Sequence, residues 1–372
     1  MRSGPRFLLS VLSVAACCVL PTFGEADAPT ANFKADPRLG EVPLVVHFTN
    51  DSDGEGPLTF HWDFGDGEQS SEADPGPHTY LVPRDEQYKV TLTVTDSSGR
   101  SDKHEVSITV DGPTLLAALL PVSRSVLVGS PATAFATVIN AGQVTATGVK
   151  IQLDNKTGPG GTALPAEFTY QTTDPSTNAL TGLPDAPVDI DPGQRQSFLI
   201  SVTPSVPLAP TDVQFDIQGT NTTRDARTVI GLNTLLLSAS TVATPDVVAL
   251  AATPDANGIL TLAGAPAAGA FSVATVNVGA DGAMVASADT GNASLPITLS
   301  VCQTKPITGE CEFPAAPAVG VQMNQGATST FAVFVSADGR VLYDPEVNRI
   351  FLRFRDASGT VRGATSVAVK GP

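Results

Sequence analysis

Leu58-Thr59-Phe60-His61-Trp62-Asp63-Phe64-Gly65-Asp66-Gly67 alternates apolar and polar residues and then turns. Phe60, Trp62 and Phe64 fall on one face of an extended chain, His61 and Asp63 on the other. That period of two marks a half-buried strand. Asp66-Gly67 supplies the turn, because Asp-Gly accepts the positive φ that a tight hairpin demands. Downstream, Val90, Leu92 and Val94 alternate with Lys89, Thr91, Thr93 and Thr95, and Val106, Ile108 and Val110 repeat the pattern. Residues 30–110 therefore read as strands, with Trp62, the single Trp of the chain, as core anchor.

The rest of the chain carries the same signature. At 372 residues it has room for two or three domains, and 42% hydrophobic residues suffice for several cores. The 33 Gly and 30 Pro suit many short strands joined by turns. No long helical periodicity follows the N-terminal leader. Leu115 to Leu120 is the best helix candidate, but it is short and abuts Pro121. The fold class is all-β.

A period of about 135 residues divides the remainder. Asn140-Ala141-Gly142 has its counterpart in Asn277-Val278-Gly279, each after an Ala-Thr-Val strand. Pro192-Gly193-Gln194-Arg195-Gln196-Ser197-Phe198 matches Gln325-Gly326-Ala327-Thr328-Ser329-Thr330-Phe331, and Pro113 to Ala117 aligns with Pro245 to Ala249. Phe215 to Asn221 corresponds loosely to Phe351 to Ala357. The expected layout is three tandem β-sandwich domains after a signal peptide: a leader at 1–26, a first module at 27–111, and duplicated modules at 113–240 and 245–372.

Arg2 and Arg6 open the leader, Phe7 to Leu20 is apolar, and Gly24-Glu25-Ala26 offers a cleavage site. The apolar run is too short for a comfortable membrane span, and no later segment is long enough for one. Two exported forms are open: free secretion after cleavage, or a lipoprotein anchored at Cys17, since Val14-Ala15-Ala16-Cys17 resembles a lipobox. Outside the leader the only cysteines are Cys302 and Cys311. Their spacing is not a CxxC metal pattern, and in an oxidising compartment they are expected to close a small loop as a disulfide, the alternative being two free thiols.

The inventory excludes much chemistry. His47, His61, His78 and His104 are the four histidines, so residues 111–372 hold neither a Ser-His-Asp nor a Cys-His site. No HExxH occurs. Asp51, Asp53, Asp66, Asp96, Asp191, Asp255 and Asp338 sit where turns are expected, which accounts for them without catalysis. A glycosidase needs only two carboxylates, so a hydrolase with an unrecognised carboxylate site stays as the least favoured reading. Gly158-Pro159-Gly160-Gly161 lacks the Lys and the strand–helix context of a phosphate loop. The net charge is −16 with no basic cluster, which argues against nucleic acid. Arg349, Arg353 and Arg355 read as charges on an edge strand, or as an anion-binding edge.

Trp62-Asp63-Phe64-Gly65-Asp66-Gly67 resembles the signature of PKD (polycystic-kidney-disease) domains. So do Ala31-Asn32-Phe33, Pro43 to Phe48, His78-Thr79-Tyr80 and Tyr88 to Val94, in the family's order and spacing. The resemblance implies an Ig-like sandwich that mediates protein or polysaccharide contact. It implies a structural role for Trp62, Asp63, Phe64, Gly65, Asp66, Gly67, His78 and Tyr80. Some PKD domains bind Ca2+, and Asn50, Asp51 and Asp53 place oxygen ligands on one loop, the alternative being a plain polar turn. No other cofactor is expected. The two later modules resemble bacterial CARDB-like (cell-adhesion-related) Ig-like domains. The third departs from that pattern at Gln325, which replaces a Pro. Together these features imply an exported, non-catalytic surface or envelope protein that binds protein or polysaccharide of the cell envelope or extracellular matrix. The alternative is a polysaccharide-binding accessory to secreted hydrolases.

Overall fold

The computed structural model of the chain describes residues 27–371. The expected signal peptide at 1–26 and the lipidation candidate Cys17 lie outside the described residues. Every element among the described residues is a strand, and the helix candidate Leu115–Leu120 is one of them. Leu115 and Leu119 point inward there while Leu116 and Leu120 face out, so alternation decides over the run's even hydrophobicity.

The described chain forms two compact units. The smaller gathers residues up to 36, 47–78 and 89–107; the larger gathers 37–46, 79–88 and 108 onward. In the first module a three-stranded sheet runs Phe33–Asp36, Leu44–Asn50, Pro77–Tyr80. A five-stranded sheet runs Leu39–Glu41, Ser101–Asp111, Tyr88–Thr95, Thr59–Asp63, Gln69–Ser70. Within the smaller unit Trp62 is 0% exposed, with Phe33 at 4.9 Å and Phe48 at 5.8 Å between ring centroids. Thr59–Asp63 pairs antiparallel with Tyr88–Thr95, setting Trp62 opposite Leu92. Val90, Leu92 and Val94 are all buried, as their alternation predicts.

From Leu115 on, two hydrophobic cores form, one between Leu115 and Ala239 and one between Val247 and Val369. Their strand orders coincide. One four-stranded sheet runs Leu115–Leu120, Ala132–Asn140, Arg195–Pro204, Ala166–Thr173; the other runs Val247–Ala252, Ala267–Asn277, Thr328–Ala337, Ile297–Thr304. The second layer of the later half is a five-stranded sheet, Ile259–Thr261, Val361–Lys370, Arg349–Arg355, Gly282–Asp289, Ala318–Met323. In the earlier half the same order is split in two. Ser123–Leu127, Leu235–Ser240 and Leu208–Val213 make one piece, and Phe215–Gln218, Ala146–Leu153 and Val188–Ile190 the other. Gln214 interrupts the strand that corresponds to Arg349–Arg355.

The Asn-x-Gly repeat has a physical basis. Asn140 is fully buried at the end of its strand, where its Nδ2 donates to the carbonyls of Val144 and Ile190 and its Oδ1 accepts from Gly142 N–H. Asn277 repeats this with the carbonyls of Ala280 and Met323 and the N–H of Gly279. Gly193 and Gly326 each donate an N–H back to that asparagine's carbonyl. Each amide side chain thus satisfies backbone groups that the turn leaves without partners. Phe198 and Phe331, five residues after those glycines, are both buried.

One expectation is corrected. Arg349–Arg355 is an inner strand, bonded to Gly282–Asp289 on one side and Val361–Lys370 on the other. Its arginines therefore guard no edge. Arg353 and Arg355 instead reach Asp289 on the neighbouring strand, at 2.9 and 3.5 Å.

Candidate functional site

The signature of the first module is spent on its own architecture. Asp63 Oδ1 accepts from Gly65 N–H, and Asp66 Oδ1 accepts from Glu68 N–H, so both carboxylates close the turn between Thr59–Asp63 and Gln69–Ser70. Gly65 has φ +80°, and a Cβ there would stand 2.6 Å from the carbonyl oxygen of Lys89, so only glycine fits. His78 stacks on Phe64 with centroids 4.2 Å apart, and its Nε2 lies 2.7 Å from Asp66 Oδ2. Trp62 Nε1 donates to the Glu72 carbonyl. Tyr80 stands 4.6 Å from Tyr88, ring to ring. Each of these side chains serves a turn or a core contact.

The loop bearing Asn50, Asp51 and Asp53 is closed by similar bonds. Asp51 pairs with Lys34 at 2.5 Å. Asn50 donates to the Ala73 carbonyl and accepts from Ser52 N–H, and Asp53 Oδ1 accepts from Gly54 N–H. Among the described residues no cluster of three or more His, Cys, Asp or Glu side chains could hold a metal ion. Cys302 and Cys311 are joined as a disulfide, beside a bridge between Thr304 and Cys311. The later aspartates follow turn chemistry. Asp174 accepts from the hydroxyls and N–H groups of Ser176 and Thr177, and these bonds, those of Ser176 foremost, hold its carboxyl down to about 2.

Sequence reasoning missed a polar seam within the larger unit, where the first of its two cores meets the second. Asp246 is 3% exposed; its Oδ2 lies 2.9 Å from Arg124 Nε, and its Oδ1 accepts from Ser125 N–H. Burial pushes the Asp246 carboxyl up, outweighing the opposing pull of Arg124. Beside it the Ser123 hydroxyl accepts from Ala364 N–H and donates to the Ala364 carbonyl. Ser366 Oγ donates to the carbonyl of Gly231 and accepts from Arg349, whose guanidinium also bonds the Pro345 carbonyl. Arg349 is 5% exposed, and desolvation lowers its pKa to about 10. Isolated charges such as Arg124 and Asp246, 122 positions apart, leave no periodic signal in sequence. Only the fold brings them together.

Comparison with known proteins bears on the first module. Residues 26–110 match the model of the PKD domain family. The pre-pro-metalloprotease PrtV of Vibrio cholerae is 40% identical over 89 residues, 24% of this chain and 9% of that protein. The collagenase ColQ1 of Bacillus cereus is 39% identical over 90 residues, 23% of this chain and 9% of that one. The chain thus spans about a tenth of the length of either curated relative. The crystal structure of the PKD1 domain of the Vibrio cholerae metalloprotease is 39% identical, covering 23% of this chain and 99% of that domain at a TM-score of 0.20. No helix among the described residues is long and apolar enough to cross a membrane. Residues 26–110 of this chain are a PKD domain.

Proposed function

We propose that this chain is an exported, non-catalytic interaction protein whose sandwich modules meet a protein or polysaccharide of the cell envelope or extracellular matrix. The modules are the PKD domain at 27–111 and the related pair at 113–240 and 245–372, and the leader at 1–26, or an anchor at Cys17, places them outside the cell. One observation carries the reading: the residues that identify the PKD domain are consumed by turns and core contacts, which leaves that module a scaffold with its outer surface free for contact. The reading requires no cofactor. A second form of it, an accessory that holds secreted hydrolases near a polysaccharide, is favoured by the relatives that share the domain, a metalloprotease and a collagenase. Fold is weak evidence for a ligand, so the test is direct. The chain is mixed with envelope fractions and insoluble polysaccharides, with and without Ca2+, and both retention and release of soluble fragments are measured. Retention without fragments supports the proposal. Fragment release that disappears on carboxylate substitution makes the chain a hydrolase and sinks it.

A further inference from the structure

A cleft opens along the seam of the larger unit, with a volume of about 340 Å³, in the range of small-molecule sites (~300–1,000 Å³). Its floor is Phe351. Two turns close on that ring: a Cβ at Gly231 would stand 2.5 Å from Phe351 Cε1, and one at Gly291 would stand 2.9 Å from Cε2. Both glycines have positive φ, +77° and +61°, so two backbone positions that favour glycine are committed to seating one phenyl group. The guanidinium of Arg353 lies 4.5 Å over the same ring and is fixed by Asp289.

Polar groups line the walls. Arg349, nearly fully buried, bonds only the neutral oxygens of Ser366 and Pro345. Asp212 faces the same cleft, and desolvation pushes its carboxyl up against the pull of Arg353 and a bond from Thr234. The cleft thus sets a carboxylate acceptor, Asp212, and guanidinium donors, Arg349 and Arg353, along one apolar-floored concavity, the mixed lining of a ligand site. The lining charges are Asp212, Glu346, Arg349 and Arg353, which cancel. A ligand carrying a net charge would give up its hydration to a lining whose own charges sum to zero and so offer no net countercharge. An uncharged ligand rich in hydroxyls can donate to Asp212, accept from an arginine, bond Asn292 at the lip, and lay its C–H face near Phe351.

We propose that this cleft is a binding site for a neutral saccharide. The proposal deepens the polysaccharide form of the function above and rests on it. The test uses the full chain with soluble neutral oligosaccharides of glucose, N-acetylglucosamine, xylose and mannose, titrated by calorimetry beside a peptide array. Two variants accompany the parent. Asp212→Asn removes the charge of this half-buried group, and Asn292→Trp fills the mouth from an exposed lip position that leaves both cores untouched. The expected result is parent binding to at least one oligosaccharide, weakened tenfold or more in both variants, with the Asn292→Trp melting curve unchanged. If the parent binds a saccharide and Asn292→Trp binds it equally well, the cleft is not the site, while the polysaccharide reading stands. A parent that binds no saccharide removes both. A parent that binds peptides but no saccharide, with peptide binding lost in Asn292→Trp, overturns the assignment of ligand class.

Discussion

Replacing Arg124 by Met leaves the buried Asp246 carboxylate without its cation. Breaking a buried ion pair by removing one partner costs about 3–5 kcal/mol, because the surviving charge is stranded away from water. A second limit comes from proton uptake. The Asp246 carboxyl has an ordinary value of 3.8, and burial already raises it. Forcing it to take a proton at pH 7 costs about 1.4 kcal/mol for each pH unit above that value, so the loss is capped at about 4 kcal/mol. The cap fixes the sign of the pH dependence. The folded variant binds the proton before the unfolded chain does, so its stability deficit shrinks as pH falls from 7 towards about 4, by at most about 1.4 kcal/mol per unit. Urea unfolding of the larger unit, followed at pH 7, 6 and 5, reads both quantities. The double variant Arg124→Met with Asp246→Asn should recover much of the loss at pH 7 and show no such slope. A loss below about 1 kcal/mol, or a deficit that does not change with pH, refutes the reasoning: Asp246 would then be reached by water.

Trp62→Ala should destabilise the first module by about 3–5 kcal/mol, seen as an earlier unfolding transition in thermal melts; an unshifted melt contradicts the core role of Trp62. Gly65→Ala should cost more than Gly67→Ala. Both sit at positive φ, which costs about 1–3 kcal/mol for alanine, but only at Gly65 would the new methyl strike a backbone carbonyl, and equal losses in thermal melts would count against that clash. The Asp174 carboxyl, read by NMR, should titrate near 2. Its folded value is below the ordinary 3.8, so the turn it holds keeps its bonds above pH 4 and loses them as pH falls through about 2. A midpoint near 3.8 would show those bonds are not made in solution.

Much of this fold is legible in sequence because strand alternation is a local signal. Trp62, Val90 and Leu92 face inward as their spacing says, and the Asn-x-Gly positions recur because Asn140 and Asn277 do the same backbone work. The run Leu115–Leu120 illustrates the limit: its leucines suit helix or strand, and pairing with Ala132–Asn140 decides. Arg349, Arg353 and Arg355 read as edge charges because inner and outer strands of a sheet look alike when a strand's partners come from distant sequence. Strand order in a sandwich is a tertiary fact. The seam and its cleft were invisible for the same reason. Arg124 meets Asp246, and Gly231 meets Phe351, only after two sandwiches have formed. In the PKD module the signature was visible in sequence, and Asp63, Asp66 and His78 make turn and ring contacts there.

The central claim is that this chain binds and does not turn over what it binds. The most direct measurement incubates the full chain with envelope fractions and insoluble polysaccharides and assays the pellet for retained protein and the supernatant for released sugar and peptide. The account predicts protein in the pellet and nothing released above a blank. Released fragments that vanish when a carboxylate is substituted, or protein left wholly in the supernatant in every condition, would contradict it.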